Sequence, residues 1–135
     1  MEKKLFLEAV AARKNAYTPY SHFQVGAALL AESGKIYLGC NVENAAYTPT
    51  NCAERTAFFK AISEGERKFV AIAIAAGPKG GPLALTSPCG VCRQVMMEFC
   101  DPETFCIIMG TEQEQLKIYT LKELLPLGFG PDNLA

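Results

Sequence analysis

The sequence predicts an α/β fold, a three-layer α-β-α sandwich on a mixed five-stranded sheet, and three observations predict it. Segments with helical and strand-like patterning follow one another in the order α-β-β-α-β-α-β-β-α. Residues 69–76, Phe-Val-Ala-Ile-Ala-Ile-Ala-Ala, form an unbroken apolar run whose length and β-branching suit a strand covered on both faces. The 135 residues are 50% hydrophobic and 20% charged, the balance of one packed unit over residues 1–135 and not of a disordered segment.

Each element has a local reason. In residues 2–16, Leu5, Ala9 and Ala12, with Phe6 and Val10, fall at the spacing of one helical face. That helix is expected to end before Pro19, which cannot continue it and biases Thr18 away from the helical region. A loop with the only histidine, His22, follows. Residues 23–31 and 35–42 read as a hairpin around the Ser33-Gly34 turn, 43–51 as a loop, and 52–64 as a helix closed by Gly65.

After the central strand, residues 77–85 are a glycine- and proline-rich loop, and Ser87-Pro88 has the form of an N-cap followed by proline at the first position of a helix reaching residue 100. Asp101-Pro102 breaks the chain, and residues 105–109 and 117–120 read as strands. Thr120-x-x-Glu123 is a capping box that opens a short helix. The stretch Pro-Leu-Gly-Phe-Gly-Pro at 126–131 is too broken for a regular element, so Phe129 is expected to find burial by docking. The helices that start near Cys52 and Pro88 each follow a strand and a loop, so their N-termini can share one sheet edge, where ligands bind in open α/β sheets.

Thirteen basic and 14 acidic side chains leave a net charge of -1, which gives no field for duplex nucleic acid or an anionic membrane and favours a small neutral ligand. Glu8, Arg13 and Lys14 interrupt any signal-peptide core, and there is no apolar run of the ~18 residues that span a bilayer, so a cytoplasmic protein is expected. In that reducing setting the six cysteines are not expected to pair as disulfides.

Cys52, in Asn51-Cys52-Ala53-Glu54, and Cys89 and Cys92, in Pro88-Cys89-Gly90-Val91-Cys92, all stand at expected helix starts. Free N–H groups and the helix dipole there stabilise thiolates, the form that binds metal. Three protein ligands on tetrahedral zinc leave one position for water, which separates a catalytic from a structural site. Cys40, Cys100 and Cys106 lack partners at ligand spacing and read as small buried hydrophobes, while His22 is the residual candidate for closing the site. Glu54, two residues after Cys52, can reach water at such a metal and move its proton. Its alternative is a capping box, with Asn51 as N-cap and Glu54 at the third helical position, but the full metal pattern favours catalysis.

Zinc deaminases of nucleobases carry a His- or Cys-x-Glu motif followed by Pro-Cys-x-x-Cys, the pattern read here from Cys52 to Glu54 and from Pro88 to Cys92. More closely, the chain resembles the small three-cysteine cytidine deaminases from end to end. The matching stretches are Tyr-Thr-Pro-Tyr-Ser-His-Phe at 17–23, Val-Gly-Ala-Ala-Leu at 25–29, Gly-Cys-Asn-Val-Glu-Asn-Ala-Ala-Tyr at 39–47, Cys-Ala-Glu-Arg-Thr-Ala at 52–57, Ser-Pro-Cys-Gly-Val-Cys-Arg-Gln-Val at 87–95, and Leu-Leu-Pro-Leu-Gly-Phe-Gly-Pro at 124–131.

The resemblance implies hydrolytic deamination of cytidine and 2'-deoxycytidine to the uridines, with one Zn2+ per subunit on Cys52, Cys89 and Cys92, and with Glu54 moving the proton of the attacking water to N3 and to the departing ammonia. Three thiolates outweigh one Zn2+ in charge, and Arg55 would withdraw the excess by contacting ligand sulfurs. By the same resemblance Asn41 and Glu43 hold the ribose hydroxyls, Phe23 lies against the nucleoside, and Ala53 offers main-chain contacts to the base. Tyr47 and Phe129 come from adjacent subunits of a homotetramer with composite active sites.

Two departures stand out: Gln24, where the family usually has proline, and the 77–85 loop, which bears on access to the site. Two rival functions share the metal motif. One is a blasticidin S-type nucleoside antibiotic deaminase, against which the Asn-Val-Glu-Asn-Ala-Ala-Tyr stretch weighs; the other is a non-enzymatic zinc-stabilised interaction domain, which requires a fourth protein ligand.

Overall fold

The computed structural model describes residues 1–113 and 115–135. Helix α1 (Glu2–Ala12) precedes the hairpin strands β1 (Phe23–Ala31) and β2 (Ile36–Cys40). Then come α2 (Ala53–Ser63), β3 (Phe69–Pro78), α3 (Gly90–Phe99), β4 (Cys106–Gly110), β5 (Leu116–Thr120) and the single turn α4 (Leu121–Leu124). The element order is the expected one. The sheet runs β2-β1-β3-β4-β5, and the β3–β4 pair is parallel while its other pairs are antiparallel, which makes it mixed.

Alternation along β3 builds the three layers. Ile72 and Ile74 face the cluster that contains Phe58 of α2, Met96 of α3 and Leu121 of α4, while Ala71, Ala73 and Ala75 face Leu5, Phe6 and Ala9 of α1. Phe58 is fully buried, with ring centroids 5.0 Å from Phe69 and 6.1 Å from Phe105. Burial of that side chain contributes about 1.5–3 kcal/mol.

Two glycines set how closely helices approach the sheet. A Cβ at Gly26 would stand 2.0 Å from the Ala9 carbonyl oxygen of α1, and one at Gly39 would stand 2.3 Å from the Ala53 carbonyl oxygen of α2. Hydrogen atoms there let both backbones rest on the strands, and the second contact fixes the start of α2, where Cys52 and Glu54 lie.

Several boundaries differ from expectation. Beyond Ala12 the first helix tightens into a 3-10 turn, Arg13–Asn15, as the Arg13 guanidinium turns to the Gln24 and Gly77 carbonyls. Strand β3 runs on to Pro78 because Phe23 and Gln24 of β1 pair with Pro78 and Gly77, so Gln24 is held by the ladder. The 77–85 segment folds back, with the Ala84 amide donating to the Ala76 carbonyl and the Lys79 amide to that of His22. Phe129 does not dock into this chain's core: it is 57% exposed, and its carbonyl accepts from Gln94 Nε2 at 2.8 Å. A further 3-10 turn, Pro131–Asn133, forms in the tail.

Candidate metal centre and active site

Two loops deliver three sulfurs to one point. After β2, the Val42 and Asn51 backbones pair through reciprocal bonds of 3.0 and 2.9 Å, which closes the intervening loop and sets Cys52 at the start of α2. The Cys52 carbonyl accepts from both the Thr56 amide and its hydroxyl, and Asn51 Nδ2 donates to that hydroxyl. The Cys52 sulfur makes no capping bond, so it can turn outward. After β3, Cys89 stands at the N-cap of α3 and accepts from the Cys92 amide through its sulfur at 3.4 Å.

Cys89 therefore occupies the cap expected for Ser87, and Gly90, not Pro88, is the first helical residue. The Ser87 hydroxyl is taken instead by Arg93 Nη2 at 3.2 Å. The capping box around Glu54 also fails to form. Cys52 is the N-cap, which makes Glu54 the second helical residue, too early to reach back.

The sulfurs of Cys52, Cys89 and Cys92 lie within 4.8 Å of one another, the one such cluster of potential ligands among the described residues. Cys52 to Cys89 is 3.8 Å and Cys89 to Cys92 is 3.4 Å. A tetrahedron with zinc–sulfur bonds of about 2.3 Å has edges of about 3.8 Å, so the spacing and the all-thiol donor set fit zinc. His22 is exposed and outside the cluster. Cys40, Cys100 and Cys106 also lie outside it, Cys100 buried and the other two half-buried. Three ligands and no fourth among the described residues is the open arrangement.

Glu54 is 4% exposed, and its Oε1 has no hydrogen-bond partner among the described residues. An unmatched buried carboxylate oxygen is costly unless a ligand supplies its partner. Burial pushes the carboxyl up to about 7, with the neighbouring Cys52 thiolate adding to the rise and Arg55 opposing it. Such a group can both take and release a proton near neutral pH. The Cys52 thiol is pulled down to about 5 by a hydrogen bond from Cys92 and by Arg55, whose Nη2 stands 3.3 Å from its sulfur; Cys92, the donor in that bond and more deeply buried, moves up.

Of the expected substrate contacts, three gather at one place. Asn41 accepts from the Val25 amide and donates to the Phe23 carbonyl, each at 2.9 Å, extending the sheet beyond β2. Glu43 accepts from the Tyr20 and Ser21 amides at 3.0 and 3.1 Å and from the Ser21 hydroxyl. Both side chains thus organise the turn that carries Phe23. Ala53 is buried at the first position of α2. Tyr47 is 74% exposed on a left-handed backbone of φ 64°, its ring edge-on to that of Tyr20. Sequence reasoning missed Ser21, whose hydroxyl both bonds Glu43 and accepts from the Phe23 amide at 3.0 Å; the signal was the serine two residues before Phe23, which can form an ST turn.

Residues 1–108 match the "Cytidine and deoxycytidylate deaminase zinc-binding region" family. The chain belongs to the cytidine deaminase family. It is 50% identical to the cytidine deaminase of Sporosarcina psychrophila over 133 residues, covering 98% of this chain and 94% of that one. It is 48% identical to the cytidine deaminase of Halalkalibacterium halodurans, over 99% of this chain and 98% of that one. The crystal structure of the cytidine deaminase from Burkholderia pseudomallei superposes with a TM-score of 0.87 at 44% identity, covering 96% of this chain and 99% of that one. The zinc-binding family and the three-sulfur cluster agree on one metal ion per chain. Among the described residues no helix is long and apolar enough to cross a membrane.

Proposed function

We propose that this enzyme converts cytidine and 2'-deoxycytidine to uridine and 2'-deoxyuridine by hydrolysis, releasing ammonia, as a step of pyrimidine salvage. The observation that carries the reading is the pairing of a three-sulfur cluster with a buried carboxyl whose Oε1 lacks a partner. Zinc on Cys52, Cys89 and Cys92 supplies Lewis acidity at neutral pH. Glu54 accepts one proton from the attacking water and gives it to N3 of the pyrimidine, then takes the second proton from the hydroxyl added at C4 and gives it to the amine, so that ammonia leaves as the C4 carbonyl forms. The burial of Glu54 keeps bulk water from competing for that proton.

Arg55 stabilises the thiolate of Cys52 and draws charge from the cluster. Asn41 and Glu43 meet the sugar hydroxyls, Phe23 packs on the nucleoside, and the Ala53 backbone meets the base edge. The exposure of Tyr47 and Phe129 supports their use by a neighbouring subunit, in a cytoplasmic homotetramer with composite sites. Neither nucleic acid nor membrane is a partner in this reading, and residues 1–135 act as one domain.

The test is cytidine turnover, followed by the absorbance loss on conversion to uridine, in the wild type and in Glu54→Gln. The wild type is expected to turn over, and the variant to keep its fold and zinc while losing activity by orders of magnitude. Turnover of blasticidin S without turnover of cytidine would reverse the substrate assignment, and an active Glu54→Gln enzyme would remove the proton-transfer role.

A further inference from the structure

Cys89 is the exposed member of the cluster, whereas Cys92 is buried and Cys52 half-buried, so packing alone does not fix it. What fixes it lies one helical turn on. Arg93 of α3 folds back over the start of its own helix: Nε donates to the Pro88 carbonyl at 2.7 Å, Nη2 donates to the Ser87 hydroxyl at 3.2 Å, and Nη1 donates to the Leu124 carbonyl at the end of α4. Pro88 is fully buried. Its carbonyl shares a rigid peptide plane with the Cys89 amide, so holding that oxygen fixes the direction in which the Cys89 side chain leaves the backbone.

The guanidinium also spans two parts of the chain that are far apart in sequence. Leu124 begins the segment leading to Phe129, and the next residue of α3, Gln94, holds the Phe129 carbonyl. At the far end of α4 the Thr120–Glu123 capping box is formed, so the segment is anchored before as well as after Leu124.

The geometry points to Arg93 as a positioning residue that orients Cys89 for the metal and ties the metal loop to the 124–129 tail. It touches neither metal nor substrate; it acts through backbone carbonyls. Lysine cannot replace it, because one ammonium does not present the planar fork that reaches three acceptors in different directions. This role rests on the reading that the three sulfurs hold zinc.

The experiment measures zinc dissociation constants by chelator competition, with melting temperatures of the metal-free forms, for wild type, Arg93→Gln, Arg93→Lys and Arg13→Gln. Arg13 serves as control because it also donates to backbone carbonyls, those of Gln24 and Gly77, away from the cluster. Arg93→Gln is expected to weaken zinc binding on the order of tenfold to a hundredfold, the range seen when groups supporting metal ligands are lost. Arg93→Lys should fall between it and wild type, and Arg13→Gln should lower the melting temperature with zinc affinity unchanged. Wild-type affinity in Arg93→Gln, or equal loss in Arg13→Gln, would overturn the assignment, whereas a wild type that binds no zinc would instead overturn the metal reading. Should Arg93→Gln not fold, hydrogen exchange on the wild type decides: amides of 121–129 are expected to lose protection when zinc is removed while those of α1 keep theirs, and unchanged protection in the tail would refute the coupling.

Discussion

Replacing Gly39 with alanine is expected to disable the site from outside it. The added Cβ would stand 2.3 Å from the Ala53 carbonyl oxygen and 2.6 Å from the Ala57 amide nitrogen, both backbone atoms of α2. Ordinary contact begins near 3.4 Å, so the start of the helix must retreat by about 1 Å. Ala53 is flanked by Cys52 and Glu54, and the retreat therefore stretches the 3.8 Å separation of the Cys52 and Cys89 sulfurs while moving the carboxyl away from the reacting atoms. A 1 Å misplacement at a reacting centre costs roughly 10²-fold in rate. The assay is kcat/KM for cytidine with zinc content on the same sample. Gly90→Ala is the control, because a Cβ there meets open space in the metal loop and should leave both near wild type. Full zinc and wild-type turnover in Gly39→Ala would refute the claim that close helix–strand contact aligns the two halves of the site.

Three further predictions follow from the same geometry. Phe58→Ala removes the buried ring that meets Phe69, Phe99 and Phe105 and should cost about 3–5 kcal/mol in denaturant unfolding. In metal-free protein, Arg55→Gln should raise the Cys52 thiol from about 5 toward the usual thiol range of about 8.5. The depressed value means the thiolate survives until pH falls through 5, so the variant should lose its thiolate absorbance at higher pH than wild type. Ser21→Ala should weaken cytidine binding more than it slows turnover. The Ser21 hydroxyl holds the Glu43 carboxyl below its ordinary value, so wild-type KM should stay flat as pH falls through the usual carboxylate range and rise only below it, while the variant's rise begins at higher pH.

The layered fold was legible because strands and helices announced themselves by period, above all in the run at 69–76, and because the glycine turn at 65 and the Thr120–Glu123 box are local signals that the structure keeps. The metal cluster was legible because ligand spacing and helix starts coincide at Cys52, Cys89 and Cys92. Cap positions were less so: whether Ser87 or Cys89 caps α3 depends on Arg93 claiming the serine hydroxyl, a contact made across the helix start. The tie from Arg93 to Leu124 was invisible, since nothing local brings residues 31 apart in sequence together. Phe129 reads as core by hydrophobicity alone, yet its ring is exposed on this chain, a placement that no local pattern announces.

X-ray absorption at the zinc edge of the purified enzyme tests the central claim most directly. Three sulfur scatterers at about 2.3 Å and one light atom at about 2.0 Å are expected, the signature of Cys52, Cys89 and Cys92 around a metal with one vertex left for chemistry. Four sulfurs, or an imidazole in the fourth place, would mean a closed structural site and would contradict the account.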